Sequence, residues 1–217
     1  MVIDRPEKES SVLHLWPEQV PLIGDIWKRI EDRSGTNAIL TLPKGAGKSL
    51  CNAVVISKFL RGEDHGEIVK LENRTKETIK RQKMGDNSPS KNAVIITPQG
   101  VDSLLLTILE DYTWFKVAHA PPVRPKKQNE AQAWKSLLDE NHILVFQDKN
   151  FYEVLKYGYL RMHDFDMAVF THCQHATTNQ VENIMTDFYR FDIEVAGQRP
   201  KTFILGLADP EYLTDRT

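Results

Sequence analysis

Apolar and polar positions follow two rhythms along this chain, and each rhythm predicts an element. Between Pro17 and Ile30 the residues Val20, Ile23, Ile26, Trp27 and Ile30 fall three or four apart, which predicts a helix burying one face. Ile39, Leu40 and Leu42 form a short apolar run, after which Leu50, Ala53, Val54, Ile56, Phe59 and Leu60 return to helical spacing. The run from Ala93 to Thr97 is stopped by Pro98, as expected of a strand buried on both faces. Leu104, Leu105, Ile108 and Leu109 predict a helix, Trp114 to Val117 a strand, and Ala133, Trp134, Leu137 and Leu138 a short helix. His142 to Phe146 reads as a strand, with Phe151, Val154, Leu155 and Leu160 on the helix after it. Phe165 to Phe170 is a further strand, Val181, Ile184, Met185 and Phe188 mark a helix, and Thr202 to Leu207 is the last strand. Such alternation predicts an α/β sandwich with a mostly parallel central sheet.

Two stretches break the rhythm. Residues 1–10 are charged and aperiodic and read as a flexible tail, with the fold beginning near Val12. From Arg61 to Asn92 charges of both signs dominate and Gly62, Gly66 and Gly85 interrupt, so about 61–92 reads as a charged insertion or long loop. Lys76, Lys80, Arg81 and Lys83 within it, and Arg124, Lys126 and Lys127 in the proline-rich stretch from His119 to Gln132, form local basic clusters. Solvated charge is the first reading of the first cluster, and the second reads as part of a loop rather than a core element.

With 217 residues and 41% hydrophobic content, the chain can bury one substantial core, so a single domain over 11–213 is expected. A formal net charge of −2 gives no global basic field that would announce nucleic acid. Cys51 and Cys173 cannot make a disulfide framework, and the sequence shows neither a signal-peptide pattern nor an apolar run long enough to span a membrane. An intracellular location, cytoplasmic or nuclear and off the membrane, is the simplest expectation.

Chemistry concentrates at Leu42-Pro43-Lys44-Gly45-Ala46-Gly47-Lys48-Ser49, between the predicted strand and helix. A glycine loop in that setting turns backbone N–H groups toward a polyphosphate, and the helix adds the positive end of its dipole. Lys44, Gly45, Ala46, Gly47, Lys48, Ser49 and Leu50 are therefore candidate nucleotide-binding residues. Lys48 would reach the β and γ phosphates and the Ser49 hydroxyl a magnesium ion, making ATP or ADP with Mg2+ the expected ligand. The strict motif places a glycine where this chain has Leu42, so the match is partial. Gln19, in the first turn of the preceding helix, has an amide able to bond an adenine edge. His172, Cys173 and His175, with His163 upstream, have zinc-ligand chemistry but lack the second cysteine pair of a structural site.

With these residues in place the chain resembles the first RecA-like lobe of a superfamily 2 helicase, most closely the helicase domain of Dicer-like proteins. The resemblance is carried by Gln19, the loop at 42–49, Val94 to Gln99, Val145-Phe146-Gln147, Tyr157-Gly158-Tyr159-Leu160 and Phe203 to Leu207, in that order. It implies a P-loop NTPase three-layer sandwich, a second RecA-like lobe in the parent chain, and double-stranded RNA or a protein of the RNA-silencing machinery as partner. The departures are specific. Where the family carries Asp-Glu-Cys-His-His-Ala, this chain has Thr171-His172-Cys173-Gln174-His175-Ala176, so the carboxylate that holds magnesium and the one that positions water are both missing. Asp164 and Asp166 precede the strand and fall at the wrong end of the sheet to replace them. Where the family carries Thr-Ala-Ser, this chain has Ala208-Asp209-Pro210, and Asp209 reads as a loop residue rather than a relocated ligand.

The resulting expectation is a degenerate helicase lobe that binds nucleotide without hydrolysing it and serves as a scaffold or in RNA or partner binding. Two alternatives stay open at this point: an active double-stranded-RNA-dependent ATPase lobe that needs the rest of its protein, and a nucleotide-free protein-interaction module.

Overall fold

The computed structural model describes residues 12–32, 37–61, 70–72, 91–98, 103–113, 115–123, 129–175, 179–190, 194 and 202–210. The proposed tail at 1–10, most of the 61–92 stretch, Trp114, Gln99 and both basic clusters lie outside them.

The described residues form eight strands: β1 (Val12–His14), β2 (Ala38–Thr41), β3 (Lys70–Glu72), β4 (Ala93–Thr97), β5 (Val117–His119), β6 (Ile143–Gln147), β7 (Met167–Phe170) and β8 (Phe203–Ala208). The helices are α1 (Gln19–Glu31), α2 (Lys48–Arg61), α3 (Ser103–Tyr112), α4 (Glu130–Glu140), α5 (Asp148–Lys156) and α6 (Asn179–Tyr189). Six strands form one sheet in the order β2-β8-β7-β4-β6-β5, and every neighbouring pair is parallel.

The apolar run of β4 explains the layering. All five of its residues are buried, because successive side chains point to opposite faces and both faces are covered. Ala93 and Ile95 join a core built with Ile23 and Ile26 of α1, most of α2, and Leu105 and Leu109 of α3. Val94 and Ile96 join the opposite core with Trp134 of α4, Phe151 of α5 and Ile184 of α6. The chain is thus an α/β RecA-like sandwich of three layers around a parallel sheet. In the second core, ring contacts run from Trp134 to Phe146 at 5.7 Å, on to Phe151 at 5.0 Å and to Phe165 at 6.0 Å.

Three expectations change. The 61–92 stretch is not all loop: α2 runs through Arg61, and β3 pairs antiparallel with β1, Leu71 opposite Leu13, in a separate two-stranded ribbon. Leu160 is not on the helix with Phe151. Gly158, at φ +68°, ends α5 in a Schellman turn, its N–H donating to the Leu155 carbonyl at 2.9 Å while Tyr159 N–H donates to Val154 at 3.1 Å. The strand read from Trp114 begins only at Val117.

Strand order positions the site. Because β8 lies between β2 and β7, with Thr41 opposite Ala208 and Phe170 opposite Gly206, the segments following these three strands converge at one edge of the sheet. Ligands of open parallel sheets bind at that carboxyl edge.

Candidate nucleotide-binding site

The loop from Leu42 to Gly47 is a built turn. Ala46 N–H donates to the Pro43 carbonyl at 3.1 Å, Gly45 and Gly47 take φ of +84° and +77°, and Cys51 N–H donates to the Gly47 carbonyl at 3.0 Å to start α2. Only glycine enters the left-handed region without strain, so both positions depend on the missing Cβ.

Gln19 lies against this loop. It is 4% exposed, its Nε2 donates to the Ala46 carbonyl at 2.8 Å, and its Oε1 accepts the Trp16 N–H at 2.8 Å. A Cβ on Gly47 would land on Gln19 Nε2, which shows how closely the amide is packed against the backbone. The first turn of α1 therefore clamps the loop.

In front of the loop is an open cavity of about 530 Å³. Lys44, Gly45, Gly47, Lys48, Ser49 and Leu50 line it from the loop and α2. Thr171, His172 and Gln174 line it from the segment after β7, and Asp209 from the end of β8. Of the sequence-predicted residues, Gln19, Ala46 and Cys173 do not line it; Cys173 packs beside Gly206, and the His175 side chain lies outside the described residues.

Lys48 Nζ donates to the Leu42 carbonyl at 2.6 Å, the Pro43 carbonyl at 3.3 Å and Asp209 Oδ1. Asp209 Oδ2 in turn accepts Gln174 Nε2 at 3.2 Å. The hydrogen bond from Lys48 holds the Asp209 carboxyl below its ordinary value; desolvation opposes this, and the positive fields of Lys48, His172 and Lys44 reinforce it. Asp209 lies in the loop directly after β8, as the sequence suggested; it is the single acidic residue of the cavity among the described residues and stands on the loop lysine.

The segment after β7 is arranged without a carboxylate. Thr171 is buried and its N–H and hydroxyl both donate to the Ile96 carbonyl, at 2.9 and 3.3 Å. His172 is exposed, at φ +57°. Asp164 and Asp166 accept N–H groups of Arg161 and Asn92 at 2.7 and 2.9 Å, at the opposite edge of the sheet. Burial pushes the Cys51 thiol up to about 11 and raises that of Cys173, opposite to the lowering that activates a nucleophilic cysteine. Among the described residues no three His, Cys, Asp or Glu side chains gather as a metal site.

No protein-family model matches this chain, and no curated protein shows significant similarity to it.

These residues fit a polyphosphate: two glycines turn the backbone, α2 begins at the cavity, and Lys48 and Lys44 supply positive charge. They do not fit a magnesium ion held for hydrolysis, since Ser49 has no carboxylate beside it from β7 and Asp209 is engaged by Lys48 and Gln174. Among the described residues no helix is long and apolar enough to cross a membrane.

Proposed function

We propose that this chain is a degenerate helicase-type lobe, of the kind found in Dicer-like RNA-silencing proteins, that seats nucleotide phosphates at 42–49 without hydrolysing them. The observation that carries the reading is the contrast between a glycine turn ahead of α2, clamped by Gln19, and a β7 terminus whose Thr171 hydroxyl is turned to the Ile96 carbonyl. Hydrolysis requires groups that stabilise charge on the transferred phosphoryl and orient water, and in this family these come from the two carboxylates that Thr171 and His172 replace. When bound, the nucleotide supplies binding energy and order across β2, β7 and β8 rather than chemistry. In this reading the lobe acts as a scaffold beside a second RecA-like lobe, contacting double-stranded RNA or a protein partner.

Calorimetric titration with ADP and ATP tests it. Saturable binding, with that of ATP disappearing in Lys48→Ala, is expected; a protein that takes up no nucleotide would be the protein-interaction module instead. The active-ATPase reading draws support from Asp209 alone, and it predicts turnover that Asp209→Asn abolishes.

A further inference from the structure

We infer that this seat takes a nucleoside diphosphate in preference to a triphosphate, because Asp209 is a resident anion standing on Lys48 where the terminal phosphate would stand. The inference rests on the reading of the 42–49 loop as a nucleotide seat.

An ammonium has three protons to donate. In Lys48 they meet three acceptors, the carbonyls of Leu42 and Pro43 at 2.6 and 3.3 Å and the Asp209 carboxylate. The lysine of a phosphate loop reaches the β and γ phosphates and the loop backbone cradles the α and β phosphates, so of the three only the outermost, the γ phosphate, depends on the lysine without the backbone. Asp209 therefore competes with the outer phosphate and leaves the inner cradle open.

Asp209 is also placed firmly. Ala208, directly before it, is in register with Thr41, the residue before the loop, so sheet pairing brings the carboxylate to the lysine. Gln174 holds its second oxygen at 3.2 Å, and the neighbouring cations Lys48 and Lys44 favour an anion at that point. A diphosphate can enter with the Lys48–Asp209 pair intact. A triphosphate must either break the pair or share one ammonium between two anions, and like charges at such separations repel.

The test is calorimetric titration with ADP and with ATP in metal-free buffer, wild type beside Asp209→Asn. Wild type is expected to bind ADP about ten-fold more tightly than ATP, equivalent to about 1.4 kcal/mol. In Asp209→Asn, ATP gains and the two affinities converge to within about three-fold. ATP binding wild type as tightly as ADP, or a ratio unmoved by the substitution with both nucleotides bound, overturns the inference and leaves the seat standing. No binding of either nucleotide to either protein overturns the seat and the inference with it. A parallel titration with magnesium covers the other role open to this carboxylate: ATP tightened by the metal in wild type but not in Asp209→Asn makes Asp209 a metal ligand and overturns the inference. If Asp209→Asn does not fold, Gln174→Ala, which releases the second oxygen, carries the same test with a smaller convergence.

Discussion

Gly47→Ala combines two penalties that the structure allows to be separated. The first is conformational: Gly47 has φ +77°, and a left-handed backbone costs alanine about 1–2 kcal/mol. The second is steric, since the new methyl falls on Gln19 Nε2, in a side chain only 4% exposed. Gln19 can yield only by giving up its bonds to the Ala46 carbonyl and the Trp16 N–H, which are worth roughly 1 kcal/mol each. The sum is roughly 2–4 kcal/mol, or a fall in melting temperature of roughly 5–15 °C for a chain of this size. Gly45→Ala is the internal control, because Gly45 has φ +84° but open space around its Cβ position, and should lose only the conformational part. Thermal or urea unfolding of Gly45→Ala, Gly47→Ala, Gln19→Ala and the Gln19→Ala/Gly47→Ala double variant reads both terms. Removing Gln19 should relieve the methyl, giving an interaction energy of about 1–2 kcal/mol in the cycle. Equal losses in the two glycine variants, or an additive cycle, would refute the argument that Gln19 clamps the loop.

Two further outcomes follow from buried and charged groups. Asn52 on α2 is fully buried with neither amide atom paired among the described residues, so Asn52→Ala removes an uncompensated polar group and improves helix propensity; unfolding should show it no less stable than wild type, and a loss above about 1 kcal/mol would contradict this. Asp209, whose carboxyl lies below its ordinary value in the folded chain, contributes stability that is complete above the ordinary carboxylate range and is lost as pH falls through the lowered value. Acid unfolding should therefore be shallower in Asp209→Asn, and an unchanged acid limb would show that the pair with Lys48 adds nothing.

Local pattern made much of the fold legible. The unbroken apolar run at Ala93–Thr97 and the helical spacing from Leu50 to Leu60 are statements about burial, and burial is what the layers impose on them. Boundaries were less legible where one residue decides them, as Gly158 does in ending α5 before Leu160. Strand order was not legible, because pairing β8 between β2 and β7 is a long-range choice that leaves no local periodicity. The loop itself could be read from its glycines, yet its two protein partners could not. Gln19 is 27 residues from Ala46 and Asp209 is 161 residues from Lys48, so only the packing of α1 and the order of the sheet reveal them. The absence of carboxylates at 171 and 172 was plain in the sequence; the structure adds that the Thr171 hydroxyl is bonded to the Ile96 carbonyl.

Phosphorus NMR of ATP mixed with the protein and magnesium reads seating and turnover in one sample. The account predicts that the phosphate resonances broaden or shift in proportion to protein, that Lys48→Ala abolishes the change, and that neither ADP nor inorganic phosphate accumulates beyond the protein-free control. Inorganic phosphate that grows with wild type and not with Lys48→Ala would contradict the claim that the site binds without hydrolysing, and unperturbed ATP resonances would contradict the seat.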